Sequence, residues 1–269
     1  MIGQKGFFII LYIEILVRLT RINEYLKVLI LIFPLIFLIS PQNLFSYITI
    51  VIFLANLLIT AFVYSFNDIE DAEDDYYDIE KRERNPITSK ELTKKQGYLF
   101  SFFLLFTGLF LLYIINPIIL FLGLILSFVG FLYSWKPVRL KAIPIIDLIS
   151  HVIGLGTLQF LIIYLAFRTL DLFIIPFLMI IIPFSLMNQI LGELTDFKVD
   201  KKTTITNTIQ KFERFDLKKI LITLSVIVIT GFSILIFTMP PENRIISLSI
   251  TFLIGIMALF RLHAHISKL

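Results

Sequence analysis

Long uncharged apolar runs alternate with short polar stretches along this chain. VLILIFPLIFLIS (28–40) and LITLSVIVITGFSILIF (221–237) carry no charge at all. Each is close to the roughly 20 residues that a helix needs to cross about 30 Å of hydrocarbon. A helix can do so because it satisfies its own backbone hydrogen bonds where no water can. The pattern predicts eight spans, at about 22–41, 44–66, 97–115, 117–135, 145–167, 171–193, 217–238 and 245–264. Segment 6–20 is apolar but holds Glu14 and Arg18, and reads as an interfacial helix merging into the first span. Two connections, 67–96 and 194–216, are long and polar, and a third, YSWKPVRLK (133–141), is short and basic.

Composition agrees. The 269 residues are 58% hydrophobic and 16% charged, against about 45–50% and 25% in soluble domains, so one large or two small soluble domains are excluded. Cysteine is absent, which excludes disulfides, thiolate metal sites and a cysteine nucleophile. No small-residue cleavage site follows the apolar N-terminal stretch, which reads as mature protein rather than a signal peptide. The net charge of +4 gains meaning once its residues are placed. With eight spans, all of the 24 Lys and Arg except Arg168 and Arg244 fall on one side. Positive charge is retained in the cytoplasm during insertion, so both termini and the polar connections are expected there, in a multi-pass protein of the cell membrane. An acidic motif follows the second span and another the sixth. The chain therefore reads as a single domain of two four-helix halves, about 1–135 and 136–269, and such repeats commonly share a site between them.

The first motif is NDIEDAEDDYYD (67–78). Asn67, Asp71 and Asp75 recur at i, i+4 and i+8, one face of a helix if the second span continues through them, with Asp68 and Asp78 at its edges. Carboxylates so crowded repel one another, and desolvation at a membrane helix end makes the repulsion worse. A bound cation relieves it. Magnesium takes oxygen ligands and typically uses one or two carboxylates plus substrate phosphate. A solvated acidic loop balanced by KRER (81–84) is the plainer reading of such a run, and the spacing and membrane position weigh against it. An EF-hand lacks its glycine and closing Glu here.

In the second motif, ELTDFKVD (193–200), Glu193, Asp196 and Asp200 share a helical face at i, i+3 and i+7. Two acidic faces at the same end of the second and sixth spans suit two magnesium ions clamping a phosphate group. Arg82, Arg84, Arg139, Lys141, Lys201 and Lys202 lie on the same expected side and suit diphosphate binding, although each serves equally to set topology. Asp147, a lone carboxylate at the start of a span, reads as functional. Gln159, Asn188 and Gln189 line a cavity or bond between helices. His151, His263 and His265 show no metal-ligand spacing, and most of the Phe face lipid.

These residues resemble the UbiA superfamily of intramembrane prenyltransferases. The resemblance rests on NDxxDxxxD at Asn67–Asp75, RNPI at 84–87, YSWKPVRLKAIPIID at 133–147 and DxxxD at Asp196–Asp200, in family order from the first span to about residue 210. It implies an all-α integral membrane protein whose eight helices, or nine if the family's last helix is present, form two halves around a central cavity open to the membrane. It implies that Asn67, Asp71, Asp75, Asp196 and Asp200 bind magnesium and diphosphate, with Asp68 in support. Arg84, Tyr133, Arg139 and Lys141 then contact the diphosphate or cap the site. The sequence departs from many members in carrying Pro137 where Tyr-x-x-x-Lys places a lysine after Tyr133, with lysines instead at 136 and 141.

The implied reaction is magnesium-dependent transfer of a prenyl group from an allylic prenyl diphosphate to a lipophilic acceptor, with Asp71 and Asp196 most critical. The acceptor is a quinone precursor, an isoprenoid glycerol phosphate, a carotenoid or similar, and no nucleic acid is involved. The principal alternative is a cation-coupled transporter, which places its carboxylates at the midplane rather than at one face. A lipid phosphotransferase using nucleotide-activated alcohols needs a glycine-containing Asp motif that is missing here.

Overall fold

Helices account for every regular element among the described residues, which are 12–200, 208–209, 214–241, 244–245 and 248–249 of a computed structural model. The chain opens with α1 (12–20), α2 (Ile22–Leu29) and α3 (Ile32–Ile39). The expected first span is therefore not one helix. Pro34 has no N–H to give to Ile30. The chain turns at 30–31, where Leu31 N donates to Val28 O at 3.0 Å and Phe33 N to Ile30 O at 3.2 Å. The helix then restarts so that Pro34 falls in its first turn, where no donor is missed.

The remaining helices follow the expected pattern closely. They are α4 (Tyr47–Asp71), the short α5 (Ile79–Arg84), α6 (Lys94–Ile115), α7 (Pro117–Ser134), α8 (Ile146–Phe167), α9 (Ile174–Asp200) and α10 (Arg214–Thr238). Local chemistry sets their starts. Ser46 caps α4, Thr93 and Gln96 form a capping box on α6, and Asn116 with Pro117 at the first position starts α7. All but α1, α2, α3 and α5 are long and apolar enough to cross a membrane, six helices among the described residues. Most of the expected last span, 245–264, lies outside those residues.

Two compact units divide the chain, Met1–Leu35 with Gln42–Leu140, and Ile36–Pro41 with Lys141–Leu269. In the first, α4 is the central helix, packed on α6 and α7 and against α2. A buried Ser65–Ser101 hydroxyl pair at 2.5 Å ties α4 to α6. In the second, α9 packs on α10 and on α8, whose middle, Val152–Leu158, is a π-helix. Gly156 lies there against α9, where an added Cβ would come 2.7 Å from Ser185 Oγ.

Candidate active site

The last turns of α4 carry the first acidic motif, and small residues on α7 admit it. A Cβ at Gly130 would sit 2.6 Å from Val63 Cγ2, so glycine lets the two helices close. One turn further along both helices, Ser134 Oγ donates to Asn67 Oδ1 at 2.8 Å.

α4 then stops at Asp71, and Asp75 lies in a separate 3-10 turn, Asp75–Tyr77. The continuous helical face expected for Asn67, Asp71 and Asp75 is thus corrected. Helix ends leave carbonyls without partners, and two side chains from the following loop take them. Asn85 Nδ2 donates to Asp68 O at 2.7 Å, and Thr88 Oγ1 to Ala72 O at 3.0 Å. Asn85 Nδ2 also donates to Asp75 Oδ2 at 2.9 Å, which returns Asp75 to the cluster by a turn rather than by the helix. Asp78, expected near the face's edge, instead caps α5, accepting from Lys81 N at 3.0 Å.

Cations hold the carboxylates. Asp68 is fully buried, with Arg84 Nη2 at 3.1 Å and Arg21 Nη1 at 3.7 Å from its Oδ1, while its Oδ2 has no hydrogen-bond partner. Arg84 Nη1 reaches Glu24 on α2 at 3.1 Å. Arg21 also pairs with Glu24 through Nε at 2.9 Å and lies over the Tyr64 ring at 4.9 Å. Arg139 Nη2 donates to Asp71 Oδ1 at 2.9 Å and also to Asp74. Its backbone is left-handed (φ 45°), a conformation that costs about 1–2 kcal/mol in a residue with a Cβ. Glu70 accepts from Tyr98 OH at 2.5 Å and from Lys136 N at 3.0 Å. Glu73 binds Lys94 at 2.8 Å and Lys136.

Asp75 lies just beyond the membrane-spanning helix, and its carboxyl is pushed above the ordinary range. Burial is the main cause and the nearby Asp71 charge adds to it, against the opposing Asn85 bond and the Lys81 and Arg84 charges. A carboxyl raised on folding stabilises the fold fully below the ordinary carboxylate pKa, and that contribution is lost as pH rises through the folded value. Asp75→Asn removes the cost of the buried anion at neutral pH. In EDTA at pH 7 its melting temperature should exceed the wild type's, with the difference vanishing near pH 4; a lower melting temperature at pH 7 would contradict this.

Tyr133 is half-buried at the end of α7, and Lys141 is half-buried in the 3-10 turn Leu140–Ala142. Arg82 is paired with Tyr76, its guanidinium 5.5 Å from the ring. Asp196 and Asp200 lie on the last turns of α9, but their side chains fall outside the described residues, as do Lys201, Lys202, His263 and His265. Glu193 turns to a different task. Its Oε2 accepts from Ile209 N at 3.3 Å and its Oε1 from Gln189 Nε2 at 3.0 Å. Asp147 does likewise, accepting from Thr208 N at 2.8 Å and from the Thr208 hydroxyl. Together these acids fasten the 208–209 backbone to α8 and α9.

Among the described residues no three His, Asp or Glu side chains converge as a protein-only metal cage requires. The first cluster nonetheless fits magnesium, because its donors are hard oxygens and magnesium draws most of its ligands from water and substrate phosphate. The unpartnered Oδ2 of Asp68 is one oxygen with capacity to spare.

Arg21, Glu24, Asn85 and Asp74 belong to this cluster, and of these Asp74 was signalled by lying inside the acidic run and Asn85 by lying inside RNPI. Asn85 stands within RNPI, where an asparagine before proline marks a turn, but nothing local links it to residues ten and seventeen positions earlier.

A family model for the UbiA prenyltransferase family matches residues 28–268. No curated protein matches the chain. Among solved structures, a UbiA homolog from Archaeoglobus fulgidus bound to GPP and Mg2+ is 22% identical with TM-score 0.74, over 90% of this chain and 86% of that one. The same homolog bound to DMAPP and Mg2+ is 21% identical with TM-score 0.74, over 91% and 86%. A structure concerned with digeranylgeranylglyceryl phosphate synthase in membranes is 21% identical with TM-score 0.61, over 94% and 86%.

Proposed function

The chain belongs to the UbiA prenyltransferase family and is a prenyltransferase, and we propose that it moves a polyprenyl group from an allylic prenyl diphosphate onto a lipophilic acceptor within the membrane, releasing diphosphate. The observation that carries the reading is the pairing of Arg84 with Asp68 and Asp75, and of Arg139 with Asp71 and Asp74, at the end of a membrane-spanning helix. Such a place joins an apolar medium for the prenyl chain to charges that manage a diphosphate. The acceptor class is a quinone precursor, an isoprenoid glycerol phosphate, a carotenoid or a similar lipid. Both units belong to one transferase domain, and the Lys and Arg asymmetry puts the acidic motifs at the cytoplasmic face.

Asn67, Asp71 and Asp75 would hold magnesium against a diphosphate, and Asp196 and Asp200 of the second motif would serve as magnesium ligands in the same way. Magnesium, when bound, neutralises charge on the diphosphate as its bond to the allylic carbon breaks. Arg84 and Arg139 donate to the departing oxygens, which is stabilisation of a leaving group by fixed charges. Tyr133 and Lys141 contact the diphosphate or cap it. The allylic fragment becomes cation-like, and the surroundings exclude water until the acceptor attacks.

The test uses protein purified in detergent with geranylgeranyl diphosphate, magnesium and a panel of lipid acceptors. Diphosphate release that is matched by a prenylated product and stopped by EDTA is expected. Release unaffected by EDTA would overturn the metal-dependent mechanism.

A further inference from the structure

We propose that Arg139 stands in for the metal on the first acidic motif, so that metal and diphosphate bind as a coupled pair and the divalent ion alone binds weakly. The inference rests on reading this cluster as the metal–diphosphate site. Its geometric basis is separate. Each carboxylate of the motif already has a positive or amide partner. Asp71 and Asp74 share the Arg139 Nη2 group, Asp68 has Arg84 and Arg21, and Asp75 has Asn85. A divalent ion arriving on Asp71 must displace a charge-assisted hydrogen bond from an oxygen it needs.

Arg139 differs from the other partners in what it would lose. It lies at the left-handed turn after α7, and Arg139 N donates to Trp135 O at 2.7 Å. The backbone therefore fixes where its side chain begins. The guanidinium is still 15% exposed, so an incoming anion can reach it. Arg84 differs in that it would meet a diphosphate while still holding the fully buried Asp68 and Glu24 on α2. A diphosphate offers Arg139 more acceptor oxygens than Asp71 does, in the planar two-pronged geometry that guanidinium prefers. Once Arg139 turns to the diphosphate, Asp71 is released to the metal. Whatever factor the diphosphate adds to metal affinity, the metal must add to diphosphate affinity. The arrangement leaves no uncompensated acid when the site is empty and disfavours metal without substrate.

The test measures Mn2+ binding by electron paramagnetic resonance on the full chain in detergent, with no diphosphate present, for wild type, R139Q, R139K and D71N. R139Q is expected to bind Mn2+ about tenfold more tightly than wild type, the scale of one charge-assisted bond no longer competing. R139K, which keeps the charge without the fork, is expected to fall between them. In EDTA, R139Q is expected to bind a non-reactive thiolodiphosphate analogue more weakly than wild type. Unchanged or weaker Mn2+ binding in both R139Q and R139K would overturn the proposal, as would an R139Q that binds the analogue as wild type does. D71N separates this failure from failure of the site reading. If D71N abolishes Mn2+ binding while R139Q does not tighten it, the stand-in role alone is wrong. If D71N binds Mn2+ as wild type does, the metal does not use Asp71 and both fall.

Discussion

Replacing Asp71 with Asn lowers turnover about a thousandfold, the scale on which loss of one fixed electrostatic group acts on a developing charge, with membrane insertion and the melting temperature close to wild type. The asymmetry follows from position. Asp71 is the last residue of α4, and Arg139, the cation paired with it, keeps Asp74 when Asp71 is neutralised. Asparagine has a similar shape and still accepts a hydrogen bond, so little is lost from the fold. What disappears is one anionic oxygen for the metal. Diphosphate release by the purified variant, beside its melting curve, checks both halves. Wild-type turnover, or a collapsed fold, would count against the assignment.

Replacing Arg84 with Ala does damage of the other kind. Arg84 is the direct partner of a carboxylate with no exposed surface, and it bridges α2, α4 and α5 through Glu24 and Asp68. Its loss leaves a buried charge supported only by Arg21 at 3.7 Å. Breaking such a pair costs about 3 kcal/mol, so the melting temperature should fall clearly and activity with it. Arg84→Lys restores the charge but not the two-pronged reach to both acids, and should recover only part of the stability. An Arg84→Ala variant with the wild-type melting temperature would show that Arg21 alone suffices for Asp68. The contrast between the two variants is diagnostic: Asp71 acts mainly on chemistry, whereas Arg84 serves architecture and chemistry together.

The spans were legible because their cause is local. Apolar run length and flanking charge are enough to place α6, α7, α8 and α10 within a few residues, whereas α4 and α9 run on past their expected ends at 66 and 193 into the acidic motifs. The break before Pro34 was also written in the chain, but the uninterrupted apolar run concealed it. At the acidic motif the i, i+4, i+8 spacing selected Asn67, Asp71 and Asp75, yet it could not reveal that α4 ends at Asp71. That ending depends on Asn85 and Thr88 reaching back to carbonyls of residues 68 and 72. Arg21 and Glu24 were illegible for the same reason, since they lie more than forty residues from Asp68 and meet it only because α2 packs on α4. Asp147 drew notice as a costly charge near a span's start. Its attachment to Thr208, sixty-one positions away, is a tertiary contact with no local signature. Family resemblance carried the chemistry further than spacing could, and the family match over 28–268 supports that part of the reading.

In the proposed reaction the first acidic motif would hold the divalent ion against the prenyl diphosphate. Anomalous scattering from crystals grown with Mn2+ and a thiolodiphosphate analogue tests it most directly. A manganese signal bonded to an Asp71 oxygen and to the analogue's phosphate is expected. A well-ordered analogue with manganese bound elsewhere and none at Asp71 would contradict it.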